Sequence, residues 1–216
     1  MQQDVGRVDD PKRIVEIGYD RIGEKYRPWS ENAMPDDVRG EYLQEVLTRL
    51  PEKADVLELG CGLGVDAAQL SRGRHYTGVD LSSVQLEIAR AHVPDRTFLQ
   101  ADLTAVEFRD DSFDAVVSFF VFNHVPAGEQ GRTFRRIYGW LRPRGFFRAS
   151  LGAGSHEDVI EEDWLGVPMF FSSNGSEENE RLLDEAGFQL ERSELRTEQE
   201  EDEEVTFHWV IGRKNT

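Results

Sequence analysis

The stretch VLELGCGLGVD, Val56 to Asp66, places Gly60, Gly62 and Gly64 directly after a short apolar run. A strand that runs into such a turn lets a ligand lie against bare backbone. The helix that follows offers free N–H groups and a partial positive charge. Two acids stand in matching positions further on: Asp80 closes HYTGVD and Asp102 closes FLQAD. A carboxylate at a strand end can accept from both hydroxyls of a ribose, each bond contributing about 1.5–3 kcal/mol. Asp102 can accept from an adenine amino group, with the Leu103 N–H at the ring edge and Leu81 as an apolar face for the base. The plainer alternative is that both acids only cap the helices after them, but three such features at successive strand ends favour binding. The glycine spacing is not G-x-G-x-x-G, because Val65 stands where the third glycine would, and no P-loop pattern occurs.

These residues need elements to hold them. ADVLELG, HYTGVDLS, RTFLQADL, FDAVVSFF and GFFRASLG are short, branched, apolar runs, alternating with the helical segments GVDAAQLSR, SSVQLEIARAHV and EQGRTFRRIYGWL. That alternation predicts a parallel sheet covered on both faces, with right-handed crossovers and a doubly wound α/β fold. Ahead of it lie two helical patterns, over 11–26 and 35–50. After it, NERLLDEAGF reads as a helix, and the chain ends in two strands around an acidic turn, one of which must run antiparallel.

The E-x-G-x-G-x-G loop at Glu58 to Gly64, the acids Asp80 and Asp102, SFDAVVSFFVFNHVP, LRPRGFFRAS and the closing EAGF with its Trp209 strand resemble the class I S-adenosylmethionine-dependent methyltransferases. The resemblance runs from about Tyr19 to Lys214. It implies a Rossmann-like seven-stranded sheet of order 3-2-1-4-5-7-6 with the last strand antiparallel. It implies S-adenosylmethionine as cofactor and S-adenosylhomocysteine as product, with Glu58 and the glycine loop at the methionine end. The candidate cofactor set is Tyr19, Tyr26, Glu58, Gly60, Cys61, Gly62, Asp80, Leu81, Gln85, Asp102, Leu103 and Phe119. Cys61 reads as a small turn residue without a catalytic role.

An activated methyl group chiefly needs an aligned acceptor, and alignment alone contributes about 7–11 kcal/mol. In FFVFNHVP, Phe119 lies beside the cofactor, while Asn123 and His124 continue toward the opening. His124 is the one candidate base, or a packing residue beside the site; both readings stand. Residues 1–50 are expected to form a helical lid bearing Tyr19, Tyr26 and Trp29. An insert over 154–176 carries Trp164, Met169, Phe170 and Phe171. With Trp29, Asn123, Trp164, Met169 and Phe170 as its wall, the acceptor is expected to be small and apolar or aromatic, methylated on oxygen or nitrogen. No metal is expected: the histidines lack ligand spacing, and Ser118 and Phe119 stand where metal-dependent relatives place an acid. A regulatory binder of the same cofactor, or a protein methyltransferase, is the alternative.

Composition narrows the partners. The formal charge is −17 over 216 residues, and lysine occurs only at positions 12, 25, 53 and 214. Such a field repels phosphate backbones and anionic lipid, so neither nucleic acid nor membrane is expected. The single cysteine and the polar start, MQQDVGRVDDPKR, point to a cytoplasmic single domain over 1–216, monomeric or homodimeric.

Overall fold

The computed structural model describes residues 10–28, 38–154, 156–200 and 203–216. Helix α1, Pro11–Ile22, starts where Asp10 accepts the Lys12 N–H at 3.0 Å and Pro11 occupies the first turn. Its buried residues Ile14, Val15, Gly18 and Ile22 recur at helical spacing on one face. A 3-10 turn over Gly23–Lys25 follows, and α2 spans Val38–Arg49.

The sheet contains β1 (Asp55–Leu59), β2 (His75–Asp80), β3 (Thr97–Gln100), β4 (Phe113–Ser118), β5 (Leu141–Gly152), β8 (Gln189–Glu200) and β9 (Glu203–Arg213). Their order is β3-β2-β1-β4-β5-β9-β8, with β1 to β5 parallel and β9 antiparallel to both neighbours. This is the expected order, renumbered by one additional hairpin. That hairpin, β6 (His156–Trp164) with β7 (Val167–Ser173), forms a separate two-stranded sheet from the insert expected to form part of the acceptor pocket. The crossover helices are α3 (Ala67–Leu70), α4 (Ser83–His92), α5 (Ala127–Trp140) and α6 (Ser176–Ala186). The pattern GVDAAQLSR thus yields only one helical turn.

Strand residues alternate between two cores. Val56, Ala115, Val117, Phe146, Trp209 and Ile211 face Tyr42, Leu43 and Val46 of α2 and Leu86 and Ala89 of α4. Leu57, Leu59, Val116, Phe147 and Val210 face Phe134, Ile137 and Trp140 of α5 and Leu183 of α6. Burial on both faces is why the strands read as continuous apolar runs. A third cluster joins α1 to the β6–β7 hairpin through Ile14, Val15, Ile22, Val167, Met169 and Phe170. Arg148 of β5 lies on an interior strand, fully buried, with its guanidinium 3.9 Å from the Tyr42 ring centre. Among the described residues no helix is long and apolar enough to cross a membrane.

Candidate active site

The loop after β1 folds back on β2: Gly60 and Cys61 donate their N–H groups to the Val79 carbonyl at 2.7 and 3.0 Å. Gly60 adopts φ +68°, and a Cβ there would run into Val121. Only glycine meets both demands at low cost. The Gly62 N–H donates to Asp80 Oδ2 at 2.8 Å, and the Ser82 N–H to Asp80 Oδ1 at 2.9 Å. Burial raises the Asp80 carboxyl above its ordinary range, and these N–H groups oppose the shift.

Asp102 is held by the Thr104 N–H and hydroxyl, both at 2.8 Å to Oδ1, and by Lys12 at 2.9 Å to Oδ2. Desolvation alone would raise its carboxyl; Lys12 and Thr104 outweigh this and leave it below the usual value. Lys12 also reaches Glu129 at 2.6 Å, so α1 is tied across the end of β3 to the first turn of α5.

One cavity of about 940 Å³, its open mouth included, joins these groups. Of the residues singled out from the sequence, Tyr19, Tyr26, Gly60, Cys61, Gly62, Asp80, Leu81, Gln85, Asp102, Leu103, Phe119 and His124 line it. Glu58 does not: it is 3% exposed beneath the loop and accepts from the Tyr76 hydroxyl. Burial and the neighbouring Asp66 push its carboxyl upward, against Tyr76 and Arg39. Burial and the negative Asp80 likewise raise the Cys61 thiol, which stays protonated and inert.

The proposed acceptor wall is corrected more heavily. Met169 and Phe170 are buried in the cluster beneath α1, not on the cavity wall, because the narrow apolar face of that helix needs covering. Asn123 is not among the lining residues, and its buried Oδ1 finds no hydrogen-bond partner among the described residues. Trp164 stands behind the wall, its ring centre 5.9 Å from Tyr19 and 6.1 Å from His124. Trp29 lies outside the described residues.

His124 is fixed at both nitrogens. Nδ1 is 2.8 Å from the Phe170 carbonyl, which can only accept, so Nδ1 carries the proton. Nε2 therefore accepts from the Tyr19 hydroxyl, 2.9 Å away. Burial lowers the ring to about 4, against the raising effect of the Phe170 carbonyl, so the imidazole is neutral near pH 7. The ring joins lid, hairpin and the loop after β4.

Two cations on the wall escaped the sequence reading. Lys12 meets Asp102 only across the fold. Arg39 of α2 lines the cavity and is held by Asp66, with Nε and Nη2 at 2.9 and 2.8 Å from Oδ2. No local spacing separates Arg39 from the other arginines. Among the described residues no three His, Cys, Asp or Glu side chains converge as a metal-binding set.

A sequence profile of the family described as "Methyltransferase domain" matches residues 56–145, which run from β1 into β5. "Putative methyltransferase YqeM" of Bacillus subtilis is 29% identical over 66% of this chain and 76% of its own length. "Methyltransferase GfsG" of Streptomyces halstedii is 35% identical over 58% of this chain and 49% of its own. The chain spans only 40–49% of the length of several curated relatives that it matches. In structure, the 1,6-didemethyltoxoflavin-N1-methyltransferase of Burkholderia thailandensis, with that compound and S-adenosylhomocysteine bound, shares the fold at TM-score 0.71 and 17% identity, covering 100% of this chain and 94% of that one. The matched span holds the glycine loop, both strand-end acids and the His124 loop, on a sheet of the order the family requires. Residues 56–145 thus match the methyltransferase-domain family, and the chain as a whole has the fold of the S-adenosylmethionine-dependent methyltransferases.

Proposed function

We propose that this chain transfers a methyl group to an oxygen or nitrogen of a small, apolar or aromatic molecule. The observation that carries the reading is a single cavity lined by Asp80 and Asp102 together with Tyr19, Tyr26, Phe119, Phe120 and His124. Asp80 would hold the ribose, and Asp102, Leu81 and Leu103 the adenine. Gly60, Cys61 and Gly62 would line the backbone approach, with Glu58 bracing the loop through Tyr76. Phe119 and the lid tyrosines would flank the methionine end. The orphaned Gln85 oxygen on the wall also fits a ligand rich in donors. Bound S-adenosylmethionine supplies a sulfonium-activated methyl, so the protein's own task is orientation and exclusion of water.

The aromatic side chains of the cavity wall support an acceptor with little charge. A structural neighbour whose bound ligand is 1,6-didemethyltoxoflavin has the same fold and supports a small-molecule acceptor. His124, neutral and already engaged at both nitrogens, is better suited to holding Tyr19 than to taking a proton from the acceptor. The acidic surface disfavours nucleic acid as acceptor.

The test is turnover. The protein, S-adenosylmethionine labelled in the methyl group and a panel of phenols, heteroaromatic amines and basic peptides should yield S-adenosylhomocysteine with label in a small aromatic acceptor. Cofactor binding with no transfer to any member would favour a non-catalytic binder, and label in the peptides a protein methyltransferase.

A further inference from the structure

Gln85 lies in the first turn of α4, 1% exposed, on the cavity wall. Its amide orientation is dictated by its partners. Nε2 is 3.3 Å from the Tyr19 carbonyl and 3.2 Å from the Gly23 carbonyl. Two carbonyls can only accept, so the amide nitrogen must face them. The oxygen is thereby turned the other way, and Oε1 finds no partner among the described residues. It points toward Gly62, where a Cβ would lie 4.0 Å from it. The Gly62 N–H in turn reaches Asp80, the acid read as the ribose ligand. A buried acceptor left unmet costs about 1–3 kcal/mol, which calls for a donor at this spot.

We infer that Gln85 couples cofactor binding to lid docking, and this rests on the cofactor reading above. Its oxygen accepts from a ribose hydroxyl of the cofactor beside Asp80. Its amide nitrogen grips the C-terminal end of α1 through the Tyr19 and Gly23 carbonyls. One planar group thus makes both contacts, so a donor that fixes the oxygen also fixes the two bonds on the nitrogen. One other tie of α1 differs in kind. Asp20 accepts from the Ser82 hydroxyl at 2.6 Å and the Val84 N–H at 3.2 Å, which docks the lid without facing the ligand. Gln85 is therefore a positioning residue that reports occupancy of the ribose site to the helix carrying Tyr19.

Hydrogen exchange of the full chain tests this, with and without S-adenosylhomocysteine or 5′-methylthioadenosine, which keeps ribose and adenine but lacks the amino-acid end. In the wild type both ligands should slow exchange over 11–25 by about tenfold or more. Gln85→Glu keeps an acceptor for the ribose but sets its second oxygen against two carbonyls, so the ligand should bind while the lid no longer responds. Gln85→Met, apolar and similar in volume, should lose both affinity and response, and it carries the test if the acidic variant does not fold. Asp20→Asn should raise basal exchange in α1 yet keep the ligand-induced slowing. Wild-type slowing in either Gln85 variant would overturn the inference. So would a wild-type lid that answers S-adenosylhomocysteine but not 5′-methylthioadenosine, since the donor would then sit on the amino-acid end. A wild type that binds neither would instead overturn the cofactor reading.

Discussion

His124 ties three parts of the site together through one neutral ring. Its proton sits on Nδ1 against the Phe170 carbonyl, and Nε2 takes the Tyr19 hydroxyl. Its pKa is lowered from 6.5 to about 4 by burial. Between those values the unfolded chain binds more protons than the folded one. This ring's contribution is therefore fully present above pH 6.5 and is lost as the pH falls toward 4, on the order of 3 kcal/mol in all. His124→Asn should be less stable than wild type near neutral pH, and the gap should shrink as the pH drops to about 4.5; urea unfolding at each pH measures it. If the Tyr19 bond is formed, Tyr19→Phe and His124→Asn should be non-additive, with a coupling of about 1 kcal/mol in a double-mutant cycle. The strand-end acids and the glycine loop were legible from sequence because local grammar places them: a strand, then a carboxylate or a glycine. Lys12 and Arg39 were not legible, since what makes them wall residues is a partner far along the chain, Asp102 for one and Asp66 for the other.

At the scale of elements, the lid and the hairpin stabilise each other. Helix α1 presents a narrow apolar face, and Met169 of β7 lies so close to Gly18 that a Cβ there would sit 2.6 Å from Met169 Cε. Gly18→Val should force the lid off the hairpin at a cost of about 1–3 kcal/mol. Trypsin cleavage at Arg13 and Arg21 should rise several-fold while the sheet core keeps its cooperative unfolding; unchanged cleavage would show that the contact is not needed for docking. The apolar cluster around Trp164 to Phe171 was visible in the sequence, but its destination was misread. Aromatic residues in a polar stretch announce burial, not what buries them. Here the covering surface is α1, more than a hundred residues earlier, and Met169 and Phe170 serve that packing instead of the cavity wall. The sheet order was legible from the alternation of strands and helices and from the resemblance. The hairpin was not, because β6, reading HEDVIEEDW, has too many acids to show an apolar strand pattern.

For the molecule as a whole, 42 acidic residues against 25 lysines and arginines leave a surface that repels itself. Screening that repulsion should stabilise the fold, so the melting temperature should rise by a few degrees between about 0.02 and 0.5 M sodium chloride. A fall would mean that the surface ion pairs, such as Arg49 with Glu191, outweigh the net charge. Asp80 lines the cavity with its carboxylate fixed by Gly62 and Ser82, and it is the proposed ribose ligand. Isothermal titration with S-adenosylhomocysteine, wild type against Asp80→Ala, tests this most directly. Loss of charge-assisted bonds to the ribose predicts that the variant binds about ten- to a hundredfold more weakly, with unchanged far-ultraviolet circular dichroism. Equal affinity in the two proteins, or no binding to the wild type, would contradict the account.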